Sequence, residues 1–303
     1  MMNVGMTIEL SAELTNPELE QLTQNVCVSL LPDEEHVDNT YRHKGIVAIY
    51  QNSQYKKKVR LLVEPAAVSP TYLDDDERLI HKLRKRLQRI FDKRLSLDDF
   101  TLTGASITTE LDVGKQTLVK AYMAVLRRVG NVKGFTLRSD CLIGRTPTFL
   151  HWQGNSNATD LILSQSDRTG VIQAEVRLLK NKAIRAFIRH DDDKAEQIIE
   201  STRRAETIFK EVFSWIIPFG DFCKKKLAVD RIRGDVRNAS SRRKMLRLLD
   251  LIPKKKSLLL GLKASGCRNP RSLLLDFAKI YLSPVTISKR QKITRLDNLY
   301  TYL

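Results

Sequence analysis

Val171-Ile-Gln-Ala-Glu-Val-Arg-Leu-Leu-Lys180 alternates at its centre, with Ile172, Ala174, Val176 and Leu178 on one side and Gln173, Glu175 and Arg177 on the other. Successive side chains of a strand point to opposite faces, so this stretch predicts a strand with one packing face and one polar face. Such a strand belongs to an antiparallel sheet covered on one side, because a parallel sheet buries both faces. The polar triplet keeps two readings open. It is either the solvated side of the sheet or a site face that offers Glu175 to a divalent metal or a reacting water.

Upstream of it, two more strands are predicted at Thr148–Gln153 and Thr159–Ser164, with turn residues at Asn155-Ser156-Asn157 and Asp167-Arg168-Thr169-Gly170. A long strand over Asp99–Leu111 leads into a helix over 114–128, and 130–144 reads as irregular. Nearer the start, Gly5–Ser11 reads as a strand, a helix begins at Pro17, and 45–51 with 59–63 form a hairpin. A helix over 74–93 packs by Leu79, Leu83, Leu87 and Ile90; its other face, with Arg78, Lys82, Lys85 and Arg89, is either solvated or a phosphate contact. This order predicts an α+β fold with a central, mostly antiparallel sheet backed by helices. After a helix from Asp193 to Trp215, Pro218-Phe219-Gly220 marks a boundary, giving domains 1–220 and 221–303. The second is expected to be all-helical, with helices over 221–237, 240–252, 255–264, 270–282 and a last one beyond Pro284.

Charge divides the chain more sharply than hydropathy does. The net charge is +17, yet Lys224–Leu303 holds 21 Lys and Arg against 5 Asp and Glu, while residues 1–223 hold 31 against 30. A localised positive field attracts polyanions by releasing their condensed counterions. The same segment carries regular apolar spacing, which a disordered tail lacks. Cys27, Cys141, Cys223 and Cys267 are far apart and form no Cys-x-x-Cys pair, which argues against a zinc ribbon or a disulfide framework and for free thiols in a reducing compartment. No secretory signal is recognisable, and apolar runs such as Val212–Phe219 are too short to span a bilayer, so a cytoplasmic protein without a membrane partner is expected.

Three blocks carry a resemblance: Leu102-Thr-Gly-Ala-Ser106 on to Val113-Gly114; Gly170 to Arg185; and Trp215-Ile-Ile-Pro-Phe-Gly-Asp221 with Arg242-Arg-Lys-Met-Leu-Arg247 and Ser283-Pro-Val-Thr-Ile-Ser-Lys-Arg290. They resemble the rolling-circle replication initiators of filamentous phages (the gene II/X type), Gram-positive plasmids and conjugative elements. The resemblance implies an origin-binding protein of a mobile element, in which a tyrosine attacks a DNA phosphodiester and a Mg²⁺ or Mn²⁺ held by acids polarises the phosphate. It also implies a host helicase as partner, and an oligomer stays open. The family glutamate falls on Glu175, with Arg177 beside it. The Arg-Ile-Asp triplet falls on Gly104, Ala105 and Ser106, and the tyrosine position falls on Asp160–Ser164, which has no tyrosine. Nicking therefore requires Glu110, which shares strand parity with Ser106, as the second metal ligand, and Tyr50 or Tyr55, beside Lys56-Lys57-Lys58, as nucleophile.

In the basic segment, Met245, Leu248, Leu249 and Ile252 predict a buried helical stripe that leaves Arg242, Arg243, Lys244 and Arg247 outside. Lys254, Lys255 and Lys256 follow. Past Ser283-Pro284 a basic helix with Lys289, Arg290, Lys292 and Arg295 is expected, which together give the outline of a helix-turn-helix reader of DNA, double- or single-stranded. Arg290 and Lys292 are the candidates for base contact; the others position phosphates. The alternatives are a non-enzymatic DNA-binding regulator and a module for RNA or an acidic protein.

Overall fold

The computed structural model describes residues 4–14, 17, 20–23, 39–52, 57–139, 146–156, 158–188 and 193–303. The strands are β1 (Val4–Glu13), β2 (Asn39–His43), β3 (Ile46–Asn52), β4 (Lys57–Val63), β5 (Thr101–Asp112), β6 (Phe135–Ser139), β7 (Phe149–Gly154), β8 (Thr159–Gln165), β9 (Val171–Leu178), β10 (Phe222–Cys223) and β11 (Arg295–Leu296). The helices are α1 (Asp76–Ile90), α2 (Gln116–Leu126), α3 (Asn181–Phe187), α4 (Lys194–Ile216), α5 (Lys225–Asp235), α6 (Ala239–Lys255), α7 (Leu258–Ala264) and α8 (Pro270–Lys279), with a single helical turn at Pro65–Val68. Hydrogen-bonded strand neighbours run β2-β3-β4-β1-β5-β9-β8-β7-β6, and β10 pairs with β11. The registered pairs β1–β4, β2–β3, β3–β4, β6–β7 and β7–β8 are all antiparallel, so the α+β expectation with a large antiparallel sheet holds. In β9, Ile172, Ala174, Val176 and Leu178 are buried, Gln173 and Arg177 are exposed and Glu175 is half-buried, as the alternation requires.

By contact the chain divides into two compact units, one built mainly of Thr109–Val176 and Phe209–Leu303, the other of Val4–Thr108 and Arg177–Ile208. In the second unit Leu10 and Ala48 both pair with Leu61 across β1, β4 and β3, and all three are buried. Helix α1 buries Leu79, Ile80, Leu83, Leu87 and Ile90, and its N-cap Asp75 accepts from the Arg78 amide at 2.9 Å. In the first unit Trp152, Tyr122, Phe209, Phe213, Phe222 and Phe277 are fully buried. The Tyr122 hydroxyl donates to the Asp297 carbonyl at 2.9 Å, and its ring packs edge-on against Phe222 and Tyr302.

At the expected boundary Gly220 sits at φ +110, where a Cβ would come within 2.5 Å of the Leu282 backbone, and the Asp221 amide donates to the Tyr281 carbonyl at 2.9 Å. Two expectations are corrected. Strand β6 lies in a stretch read as irregular; cross-strand pairing with β7 (Leu137 opposite Trp152) decides it, not local propensity. No helix forms between Pro284 and Arg295. Val285, Thr286 and Ile287 are buried in non-helical backbone, with isolated parallel bridges Asp221–Leu282 and Lys224–Ile287 holding the chain. A β-branched run loses side-chain freedom in a helix. The helix predicted from Pro17 lies mostly outside the described residues, as do Cys27 and Cys141. Cys223 and Cys267 are free thiols. No helix among the described residues is long and apolar enough to cross a membrane.

Candidate nucleic-acid interface

Helix α6 carries exposed cations at Arg243, Lys244, Arg247, Lys254 and Lys255. Asn238 caps it, its side chain accepting from the Ser240 and Ser241 amides at 2.9 and 3.0 Å. Met245, Leu248, Leu249 and Ile252 are buried as the spacing predicts. That packing turns Arg243, Arg247 and Lys254 outward; Lys244 and Lys255 are also exposed, and Arg242 is half-buried. None of these six has an ion-pair partner among the described residues. Asp250 on the same helix is taken up by Lys225.

The end of α6 forms one wall of a cleft of about 590 Å³. Lys255 and Lys256 line it, as do Arg127 and Arg128 from the turn after α2, and among the described residues that line it there is no Asp or Glu. Leu137, Pro253 and Leu260 add apolar lining. Four cations around one concavity focus a positive potential and favour an anion.

The cleft is fixed by close backbone packing. Lys256 ends α6 in the left-handed region at φ 53. Gly130 opposes it at φ +62, and a Cβ there would meet the Lys256 carbonyl oxygen at 2.7 Å. The Gly130 carbonyl accepts from the Trp152 indole at 2.8 Å, and the Asn131 carbonyl accepts from the Ser257 hydroxyl at 3.0 Å. The Arg128 guanidinium donates to the Thr286 carbonyl. Burial lowers the Arg128 pKa, but a guanidinium starts so far above neutrality that it keeps its charge.

The other nominated cations fare differently. Lys289, Arg290 and Lys292 are exposed on a non-helical segment, so the recognition helix they were expected to form is absent. Arg295 is ion-paired with Asp221 at 3.0 Å and with Asp297 at 3.5 Å. Asp221 is buried and also binds Arg231 at 3.1 Å and the Asn298 amide at 3.1 Å, so Arg295 helps hold the fold together.

Of the residues nominated for chemistry, Tyr50, Glu110, Glu175 and Arg177 lie among the described residues. Tyr50 is 3% exposed, and its hydroxyl donates to Glu20 at 3.1 Å. Burial first, and then Glu20, push its pKa up to about 12, the opposite of what an attacking phenolate needs. Tyr55 lies outside the described residues. Glu110 is bound by Arg168, while Glu175 and Arg177 stand on the polar face of β9. Among the described residues no group of three or more His, Cys, Asp or Glu is placed to hold a metal ion. His151, read as a neighbour of Trp152, bonds Asp160 at 2.7 Å.

Arg127 and Arg128 were missed as site residues because they follow a helix that mainly serves the core, burying Val119, Tyr122, Met123, Val125 and Leu126; the one local signal is Arg-Arg followed two residues on by Gly130. No family model matches the chain, and no curated protein matches it. A class II 3-hydroxy-3-methylglutaryl-CoA reductase from Streptococcus pneumoniae aligns over 92% of this chain and 77% of its own at 9% identity, with a TM-score of 0.15 that carries no argument about fold or function.

Proposed function

We propose that this chain binds DNA through its phosphates, as an origin-binding protein of the replication-initiator type, and holds the strand without cutting it. One observation carries the reading: Arg127, Arg128, Lys255 and Lys256 line one cleft, with no acid among the described residues that line it, at the end of a helix whose outer face is also basic. Phosphate contacts of this kind position nucleic acid and do not by themselves read sequence. Burial of Tyr50 and the pairing of Glu110 with Arg168 support binding without strand transfer. The basic surface is equally the feature that an RNA or acidic-protein module requires, so competition between partners is part of the test.

Fluorescence anisotropy with labelled duplex DNA over a series of salt concentrations tests this directly. Affinity is expected to fall steeply with salt, and Lys255→Glu with Lys256→Glu to weaken binding by about tenfold or more. Salt-independent affinity, or displacement by acidic protein and not by DNA, refutes the proposal. Incubation with supercoiled DNA and Mg²⁺ or Mn²⁺ is expected to give no covalent adduct. An adduct lost in Tyr50→Phe or Tyr55→Phe restores the nicking reading.

A further inference from the structure

A phosphate alone has no use for the apolar half of the cleft. Leu260 is 47% exposed there, and Leu137 and Pro253 line the same cleft as the four cations. Large apolar side chains left accessible inside a charged concavity mark a ligand with an apolar face. A duplex does not offer one, since its bases are stacked inside and it presents sugar and phosphate outward. The volume, about 590 Å³, is also several times that of an inorganic phosphate and lies in the range of small-ligand sites. Asn131, at the rim, commits its side-chain oxygen to the Leu137 amide at 2.9 Å, and its amide nitrogen has no partner among the described residues. That leaves a donor for the edge of a base.

We infer that the cleft takes a nucleotide unit, with phosphate on the four cations and an unstacked base laid against Leu260, Leu137 and Pro253. The inference rests on the phosphate-binding reading of the same cleft. The nucleotide comes either from an unpaired strand or from a free nucleoside polyphosphate, and both present the same chemistry.

The test is anisotropy with labelled oligothymidylate, an abasic oligonucleotide of equal length and charge, and blunt duplex, followed by competition with ATP and with inorganic tripolyphosphate. Oligothymidylate is expected to bind more tightly than the abasic strand, and Leu260→Ala to weaken it by about three- to tenfold while leaving the abasic strand unchanged. Leu260→Phe, which enlarges the wall, is expected to restore or raise the preference. Competition by ATP beyond that by tripolyphosphate identifies a free nucleotide as a sufficient ligand; competition by neither, with the thymidylate preference intact, identifies the unpaired strand. Equal binding of the thymidylate and abasic strands overturns the inference and leaves DNA binding standing. Loss of all strand binding sinks DNA binding itself, and ATP no better than tripolyphosphate then overturns the nucleotide site as well.

Discussion

Lys256 occupies a conformation that favours glycine, and it does so on the wall of the basic cleft. A non-glycine residue in the left-handed region costs about 1–2 kcal/mol, and the conformation persists because Gly130 packs against Lys256 and Ser257. Stability and binding are thus opposed at this residue. Lys256→Gly is expected to raise thermal stability, by about 0.5–1 kcal/mol after the entropy that glycine loses, and to lower DNA affinity in the same preparation. Gly130 faces the converse constraint. Gly130→Ala places a Cβ against backbone and strains φ, so a loss of about 2–4 kcal/mol is expected in a denaturant melt, with the cleft distorted. Tyr50 ties pH to stability. Its folded pKa is raised above the ordinary value of 10 to about 12, so its contribution is complete below pH 10 and is lost as pH climbs toward 12. Tyr50→Phe is expected to show less of that alkaline loss in a melt followed from pH 9 to 12, and no change in DNA affinity.

At the scale of elements, α6 joins two roles in one amphipathic pattern. Its buried stripe was legible because four apolar residues recur at helical spacing, and burial of that stripe dictates which cations face outward. On duplex DNA, each cation that neutralises a phosphate adds about 0.9 to the steepness with which log K falls against log salt. Single alanine substitutions at Arg243, Arg247 and Lys254 are therefore expected to weaken binding similarly for all sequences and to flatten that slope one step at a time. Arg295→Ala is expected to act through stability, because its guanidinium holds Asp221. The segment after Pro284 shows the opposite case. Its basic residues suggested a helix, but burial of the Val285-Thr286-Ile287 run and the bridge from Ile287 to Lys224 hold it in a non-helical path.

On the scale of the whole molecule, the basic C-terminal segment is part of a unit whose other half comes from residues 109–176. Tyr122 bonds the Asp297 carbonyl, Arg128 bonds that of Thr286, and Ser257 bonds that of Asn131, so these helices complete their core with residues far earlier in the chain. Residues 221–303 expressed alone are expected to lack a cooperative thermal transition by circular dichroism, whereas the full chain has one. A sharp melt of that fragment would restore the domain boundary at 220.

The sequence by itself determined the alternation of β9, the apolar stripes of α1 and α6, the antiparallel α+β class and the concentration of charge after Lys224, because each follows from local periodicity or from a count. Only tertiary structure decided that β6 is a strand, that the chain past Pro284 is not helical, that Arg295 is spent on Asp221, and that Arg127 and Arg128 line one cleft with Lys255 and Lys256. The physical reason is the same each time: burial and pairing energies between residues distant in sequence outweigh the small local preferences that a linear pattern records.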